Sequence, residues 1–119
     1  MKRIVPLLIV FVFFILLFAL QSSKAFSTPP SDIDLKYDTN KHVLHIVITH
    51  VTHKQNKHHI REVMVYLNEK KVFSDYYTKQ TTGSEHVVDV PLEAKKDDTV
   101  RVEAKCTDSG PREATLVIP

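Results

Sequence analysis

The sequence has a single cysteine, Cys106, and no tryptophan among its 119 residues. A chain with one thiol cannot form an internal disulfide, so Cys106 is buried, paired with another molecule or bound to a metal. No Cys-x-x-Cys pair is present, although structural zinc sites usually take four protein ligands in tightly spaced pairs. A disulfide scaffold is therefore excluded, and a structural zinc site is not indicated.

The chain also has few glycines and only a small net positive charge. The two glycines, Gly83 and Gly110, are isolated and do not form a phosphate-binding loop. No serine has the sequence context of a Ser-His-Asp nucleophile. The formal charge of +2 arises from Lys2, Arg3 and Lys24 near the N-terminus, and without them 13 basic residues face 14 acidic ones. Because nucleic-acid binding needs a concentrated basic patch, we expect no nucleic-acid partner.

The N-terminal 25 residues have the composition of a secretory signal peptide. Lys2 and Arg3 precede an apolar run over residues 4–20, and Ser23 and Ala25 supply the small residues of a cleavage site after Ala25. The alternative is an uncleaved anchor, although the run falls just short of the roughly 20 residues that span a bilayer. In both cases we expect the remainder to be exported to the periplasm or another extracytoplasmic space, and to contact membrane only through this segment.

The rest of the chain is predicted to be a short linker over residues 26–31 and one domain over residues 32–119. Alternating apolar residues, β-branched residues and turn signals predict seven strands and no helix. The predicted strands cover 33–37, 43–51, 60–67, 71–79, 85–92, 98–106 and 112–118. Short, regularly spaced strands in a domain of this size favour an all-β fold, a seven-stranded immunoglobulin-like antiparallel β-sandwich.

Cys106 ends the sixth of these strands. Val100, Val102, Ala104 and Cys106 alternate with charged residues and share one face of the strand. The thiol is therefore expected on the core side, at the point where the strand meets the loops. Loops on a rigid scaffold commonly carry binding residues.

Six of the seven histidines lie within residues 42–59. Imidazole is the commonest metal ligand and also titrates near neutral pH. We interpret His42, His45, His50 and His86 as ordinary strand or surface residues, with His42 and His50 kept as candidates for recruitment to a site. The polar loop that follows the second strand holds His53, His58 and His59, and these three with Cys106 are the candidate metal ligands. An inert, buried structural thiol remains the alternative for Cys106.

Two segments carry a resemblance to a known family. The run from His53 to Ile60, HKQNKHHI, followed by Val63, Val65 and Tyr66, resembles the desulfoferrodoxin or superoxide reductase iron-binding domain. In that family a histidine, a short loop and a second histidine open a strand. The strand ending at Cys106 is similar to the family's last core strand, which ends in Cys-x-x-His-Gly.

The resemblance implies an immunoglobulin-like sandwich with one mononuclear, non-haem iron, held by four equatorial histidines and an axial cysteine. Residue matching implies metal ligands at His53, His58 and Cys106, with His59 as the residue that could replace His58 in register. It also implies superoxide or a small redox partner as the molecule acted on. Two departures are evident. Ser109 stands where the family has the histidine of Cys-x-x-His-Gly, and the loop from His53 to His58 is one residue shorter. Copper and zinc remain alternatives to iron.

Two functions follow. The first is an exported metal-binding domain that resembles superoxide reductase and reduces superoxide to peroxide. The alternative is a non-catalytic periplasmic metal-binding or interaction module with an incomplete site. A cupredoxin is disfavoured because blue copper sites need a histidine and a weak axial ligand soon after the cysteine, and neither His nor Met follows Cys106. The sequence does not indicate an oligomeric state.

Overall fold

A computed structural model describes residues 30–119 together with the single position Val12. The predicted signal peptide of residues 1–25, Val12 apart, lies outside the described residues, as do residues 26–29 of the predicted linker. Among the residues that are described, no helix has the length and apolarity needed to cross a membrane.

Strands form at all seven of the predicted places, with ends that differ from the predicted ones by up to three residues. β-branched and alternating apolar residues account for this, since branching at Cβ packs well on a pleated surface. The strands are β1 (Asp32–Asp38), β2 (Val43–Thr49), β3 (Ile60–Leu67), β4 (Lys70–Tyr76), β5 (Glu85–Pro91), β6 (Thr99–Cys106) and β7 (Pro111–Val117).

The strands form two antiparallel sheets that face each other. One sheet has the order β1-β2-β5 and the other the order β4-β3-β6-β7. The predicted hairpin between β1 and β2 is present, with Asp32 opposite Thr49 and Asp38 opposite Val43. The predicted all-β, seven-stranded antiparallel sandwich is confirmed, whereas its description as immunoglobulin-like stays a prediction.

The core lies between the sheets and follows the period of two expected for strands. In β2, Leu44, Ile46 and Ile48 are fully buried, while in β6 Val100 and Val102 face them from the other sheet. Each such side chain contributes about 1.5–3 kcal/mol by leaving water. The core therefore fixes the strand ends, and with them the loops that join the sheets.

One end of the sandwich brings four strand ends together. Thr49 at the end of β2 pairs with Glu85 at the start of β5. In the other sheet, Ile60 at the start of β3 pairs with Cys106 at the end of β6. The segment 50–59, which carries four of the histidines, therefore crosses from one sheet to the other directly beside the cysteine.

Candidate metal site

A cluster of three ligating side chains lies at this end of the sandwich. His50, His58 and Cys106 each present one ligand atom, and these atoms all lie within 4.8 Å of one another. His58 Nε2 is 3.1 Å from His50 Nε2 and 3.2 Å from Cys106 Sγ. His50 and Cys106 are buried, and His58 is partly exposed.

The strand period of β2 brings His50 into the site. His50 follows the last residue of β2 and continues the inward face of Leu44, Ile46 and Ile48, so its side chain is only 1% exposed. Its backbone N–H donates to the carbonyl of Ser84, 2.9 Å away, which extends the pairing of β2 with β5. His50 is therefore held by the sheet rather than by a loop.

A tight turn positions His58. The backbone N–H groups of Lys57 and His58 both donate to the carbonyl of Lys54, at 3.0 and 2.8 Å. The His58 ring then stacks on the His50 ring, with 4.8 Å between centroids and 26° between planes. The turn thus brings an otherwise loop-borne imidazole against one fixed by the sheet.

Cys106 ends β6 on the core side, as its strand pattern predicts, and is 4% exposed. The neighbouring Thr107 joins this strand end to the histidine loop. Its N–H donates to the carbonyl of His59 at 3.0 Å, and its hydroxyl donates to the carbonyl of Lys57 at 3.3 Å. The thiol and the loop are therefore held in register by hydrogen bonds on both sides of His58.

Hydrogen bonds also decide which imidazole nitrogens face the cluster. His58 Nδ1 lies 3.3 Å from a carboxylate oxygen of Asp108, and His50 Nδ1 contacts the side-chain oxygen of Gln80. Both oxygens act as acceptors and favour a proton on each Nδ1, which in a neutral imidazole leaves the lone pair on Nε2. The two Nε2 atoms, 3.1 Å apart, suit either an N–H of one ring donating to the other or a metal cation that both nitrogens bind.

Two of the three donor separations suit a shared transition-metal ion. With metal–nitrogen bonds of about 2.0–2.1 Å and a metal–sulfur bond of about 2.3 Å, donor atoms at angles of 90–110° lie about 2.9–3.6 Å apart. The 3.1 Å between the two Nε2 atoms and the 3.2 Å between His58 Nε2 and Cys106 Sγ fall in that range, and the three ligand atoms together lie within 4.8 Å of one another. Two imidazoles and one thiolate suit iron, copper or zinc rather than magnesium or calcium. The three residues therefore form a candidate mononuclear metal site.

Two of the four predicted ligands, His58 and Cys106, lie in this cluster. His53 is exposed on the loop and is not a member of it. His59 is buried but belongs to a different contact: its Nε2 donates to the carbonyl of Tyr77 at 2.9 Å. The third member is His50, which sequence analysis kept only as a residue for recruitment. The alternation of inward-facing residues along β2, extended by two residues beyond Ile48, places His50 on the inward face and is the sequence signal for it.

His59 lies close to a second buried histidine, His86. The His86 Nδ1 accepts the backbone N–H of Thr81 at 3.2 Å, and its ring meets the Tyr77 ring edge-on at 4.3 Å between centroids. Burial lowers the pKa of His86, and the charge that His59 would carry lowers it further. Burial also raises the pKa of Tyr77 to about 12. His86 is thus an inward-facing strand residue that is uncharged at neutral pH.

The remaining histidines lie on the surface. His42 is 3.8 Å from a carboxylate oxygen of Glu93, and His45 Nδ1 contacts a carboxylate oxygen of Asp89 across β2 and β5. Both side chains are about half exposed, at 52% and 46%. Neither belongs to the cluster around Cys106.

Ser109 stands where the resemblance implies a further histidine ligand. Its hydroxyl oxygen is buried and has no hydrogen-bond partner among the described residues. A serine hydroxyl is a poor ligand for iron, copper or zinc compared with imidazole. Within residues 30–119 the ligand set gathered at one point is therefore two histidines and one cysteine.

Comparison with known proteins supports the fold. No protein family model matches the sequence, and no curated protein matches it either. A superoxide reductase in its oxidized state matches with a TM-score of 0.57 and 14% identity, over 82% of this chain and 94% of that one. The superoxide reductase (neelaredoxin) of Ignicoccus hospitalis matches with a TM-score of 0.50 and 16% identity, over 77% and 79%. The chain therefore has a superoxide reductase-like fold.

Proposed function

We propose that His50, His58 and Cys106 bind one iron ion and that the chain reduces superoxide to hydrogen peroxide. The observation that carries this proposal is the convergence of two imidazole Nε2 atoms and a thiol sulfur at one buried point. The fold shared with superoxide reductases supports iron over zinc and copper. Bound ferrous iron would supply one electron to superoxide, which takes up two protons to give peroxide, and an external one-electron donor would restore the ferrous state.

The residues of the chain have separate tasks in this proposal. Cys106 supplies the negatively charged ligand, which favours the oxidised state of a metal. Asp108 would hold the proton of His58 on Nδ1 and thereby direct Nε2 toward the metal. The His58 side chain is 21% exposed, so a small anion can approach the site beside it.

The location of the reaction is part of the proposal. The charged start, apolar run and small residues of the N-terminal segment favour export, so the chain would act on superoxide outside the cytoplasm. Whether residues 1–25 are removed or kept as an anchor, the sandwich would face the same compartment. The electron donor would then be a small redox partner of that compartment.

The second candidate is a non-catalytic metal-binding or interaction module. Ser109 favours it, because a site with three protein ligands lacks part of the histidine set that the resemblance implies. Such a module would bind iron, zinc or copper without turnover. Zinc bound at this site could not transfer an electron to superoxide, since it has no redox chemistry.

The yield of peroxide distinguishes reduction from other outcomes. The purified full chain, loaded with ferrous iron without oxygen, is mixed with superoxide in the presence of excess one-electron donor. Reduction gives one peroxide per superoxide consumed, whereas dismutation gives one per two. A yield of one that is lost in Cys106→Ser and kept in His53→Ala supports the proposal. An iron-loaded protein that does not speed superoxide loss is the non-catalytic module.

A further inference from the structure

We propose that Gln80 is a positioning residue of the metal site, because it holds the proton of His50 on Nδ1 and so makes Nε2 the ligating atom. This inference rests on the proposed metal site, but the proton position can be measured without any metal. Gln80 lies in the connection between β4 and β5 and is 2% exposed, although glutamine is usually a surface residue. A buried amide needs partners, and those partners reveal its role.

Backbone groups on three sides fix the orientation of the Gln80 amide. The backbone N–H of Ile60 donates to its oxygen at 3.1 Å. Its nitrogen donates to the carbonyls of His50 and Thr82, at 2.8 and 3.1 Å. Rotating the amide by 180° would set its NH₂ group against the N–H of Ile60 and its oxygen against two carbonyls. The oxygen is therefore the atom that faces His50 Nδ1.

An oxygen at this place determines the tautomer of His50. An amide oxygen only accepts, so the hydrogen bond forms when His50 Nδ1 carries the proton. The lone pair of the imidazole is then on Nε2, which lies 3.1 Å from His58 Nε2 in the cluster. The other tautomer would leave the buried Gln80 oxygen facing a bare nitrogen and would place an N–H in the metal position.

The same amide also holds His50 at two points. It bonds both the ring and the backbone carbonyl of His50, and it reaches Ile60, the first residue of β3. The ring is therefore tied to both sheets, which limits its rotation.

Asp108, which contacts His58, is by contrast about half exposed, at 54%. A carboxylate at the Gln80 position would be nearly enclosed, where desolvation of a charge is costly, so a neutral amide suits it better.

The test compares three variants of the full chain. Gln80→Met removes every hydrogen bond of the side chain, and Gln80→Glu keeps an oxygen acceptor for His50. Gln55→Met is the matched control, since it makes the same chemical change in the neighbouring loop. Folding of each variant is checked by the dispersion of its amide NMR spectrum. If Gln80→Met does not fold, Gln80→Glu and wild type still test the tautomer.

Two readouts are measured. In the metal-free chain, imidazole ¹⁵N shifts should show the Nδ1–H tautomer of His50 in wild type, Gln80→Glu and Gln55→Met, and a mixture of tautomers in Gln80→Met. The affinity for Co²⁺, as a spectroscopic substitute for iron, should fall about 10–100-fold in Gln80→Met, as is typical for the loss of a ligand's supporting partner. Gln55→Met should bind as wild type does.

The outcomes separate this inference from the proposed function. An Nε2–H tautomer of His50 in wild type, or an Nδ1–H tautomer that persists in Gln80→Met, overturns the role of Gln80 even if the metal binds. Equal Co²⁺ affinity in wild type and Gln80→Met overturns it as well. If wild type shows the expected tautomer but binds neither Co²⁺ nor iron, the proposed metal function fails instead.

Discussion

The Nε2 atoms of His50 and His58 lie 3.1 Å apart, with Cys106 Sγ 3.2 Å from the second of them. His50 is placed by strand β2, His58 by a turn and Cys106 by strand β6, so three separate elements meet at this point. The packing of an apolar core does not require two imidazoles and a thiol to lie together at this point. The proposed metal ion, bound by all three atoms, would account for it.

The first prediction separates His50 from His53, which the sequence alone favoured as a ligand. His50→Ala removes one of three clustered donors, so metal affinity should fall by more than the about 10–100-fold seen when a ligand loses a supporting partner. His53→Ala changes an exposed loop residue outside the cluster and should leave affinity unchanged. Both affinities are measured by anaerobic titration with Co²⁺. A larger loss in His53→Ala than in His50→Ala would contradict the cluster.

The second prediction concerns Asp108, whose carboxylate oxygen lies 3.3 Å from His58 Nδ1. Asp108→Ala removes this acceptor, and metal affinity should fall about 10–100-fold. Asp108→Asn keeps an oxygen acceptor without the charge, so its loss should be smaller. The same Co²⁺ titration measures both variants. Equal affinities for Asp108→Ala and wild type would show that the carboxylate does not support His58.

The third prediction is a pH dependence of stability caused by His86. Its pKa is lowered in the folded chain by burial, so the unfolded chain binds the additional proton as the pH falls below the ordinary histidine value of about 6.5. The stability of the metal-free protein should therefore decrease from pH 7.5 to pH 5. His86→Gln, which keeps an acceptor for the N–H of Thr81, should show a shallower decrease. Urea unfolding at several pH values measures both, and parallel curves would rule out this contribution.

The fourth prediction concerns metal removal. A ligand that binds only the folded chain stabilises it by about 2.7 kcal/mol when its free concentration is 100 times its Kd. For a domain of this size that corresponds to a rise in Tm of about 10 °C or more. Chelation should reverse this rise in wild type and should leave the Tm of Cys106→Ser nearly unchanged. A wild-type Tm that is insensitive to chelation would indicate a site that holds no metal.

Much of the fold could be predicted from the sequence because strands have a simple period. Leu44, Ile46 and Ile48 alternate on β2, and the same rule placed Cys106 on the core side of β6. Turn signals between the runs gave the number of strands. These are local properties, and the sandwich follows from burying one face of each strand.

The site could be predicted only in part. Cys106 and His58 were found because their sequence context resembles a known family. His50 was not expected as a principal ligand, because the alternation of β2 shows that its side chain points inward but does not distinguish a ligand from an ordinary buried histidine. The orientation of the His59 ring depends on its hydrogen bond to the carbonyl of Tyr77. The orientation of the Gln80 amide depends on the hydrogen bond that its oxygen accepts from the backbone N–H of Ile60. Such contacts join residues far apart in the chain, so no short motif reveals them.

The most direct test of the metal site is the absorption spectrum of the purified full chain during anaerobic titration with ferrous iron, followed by one-electron oxidation. The account predicts saturation at one iron per chain and a sulfur-to-iron charge-transfer band in the oxidised protein. Cys106→Ser should lack the band. No band in wild type at saturating iron, or a band that persists in Cys106→Ser, would contradict the proposed site.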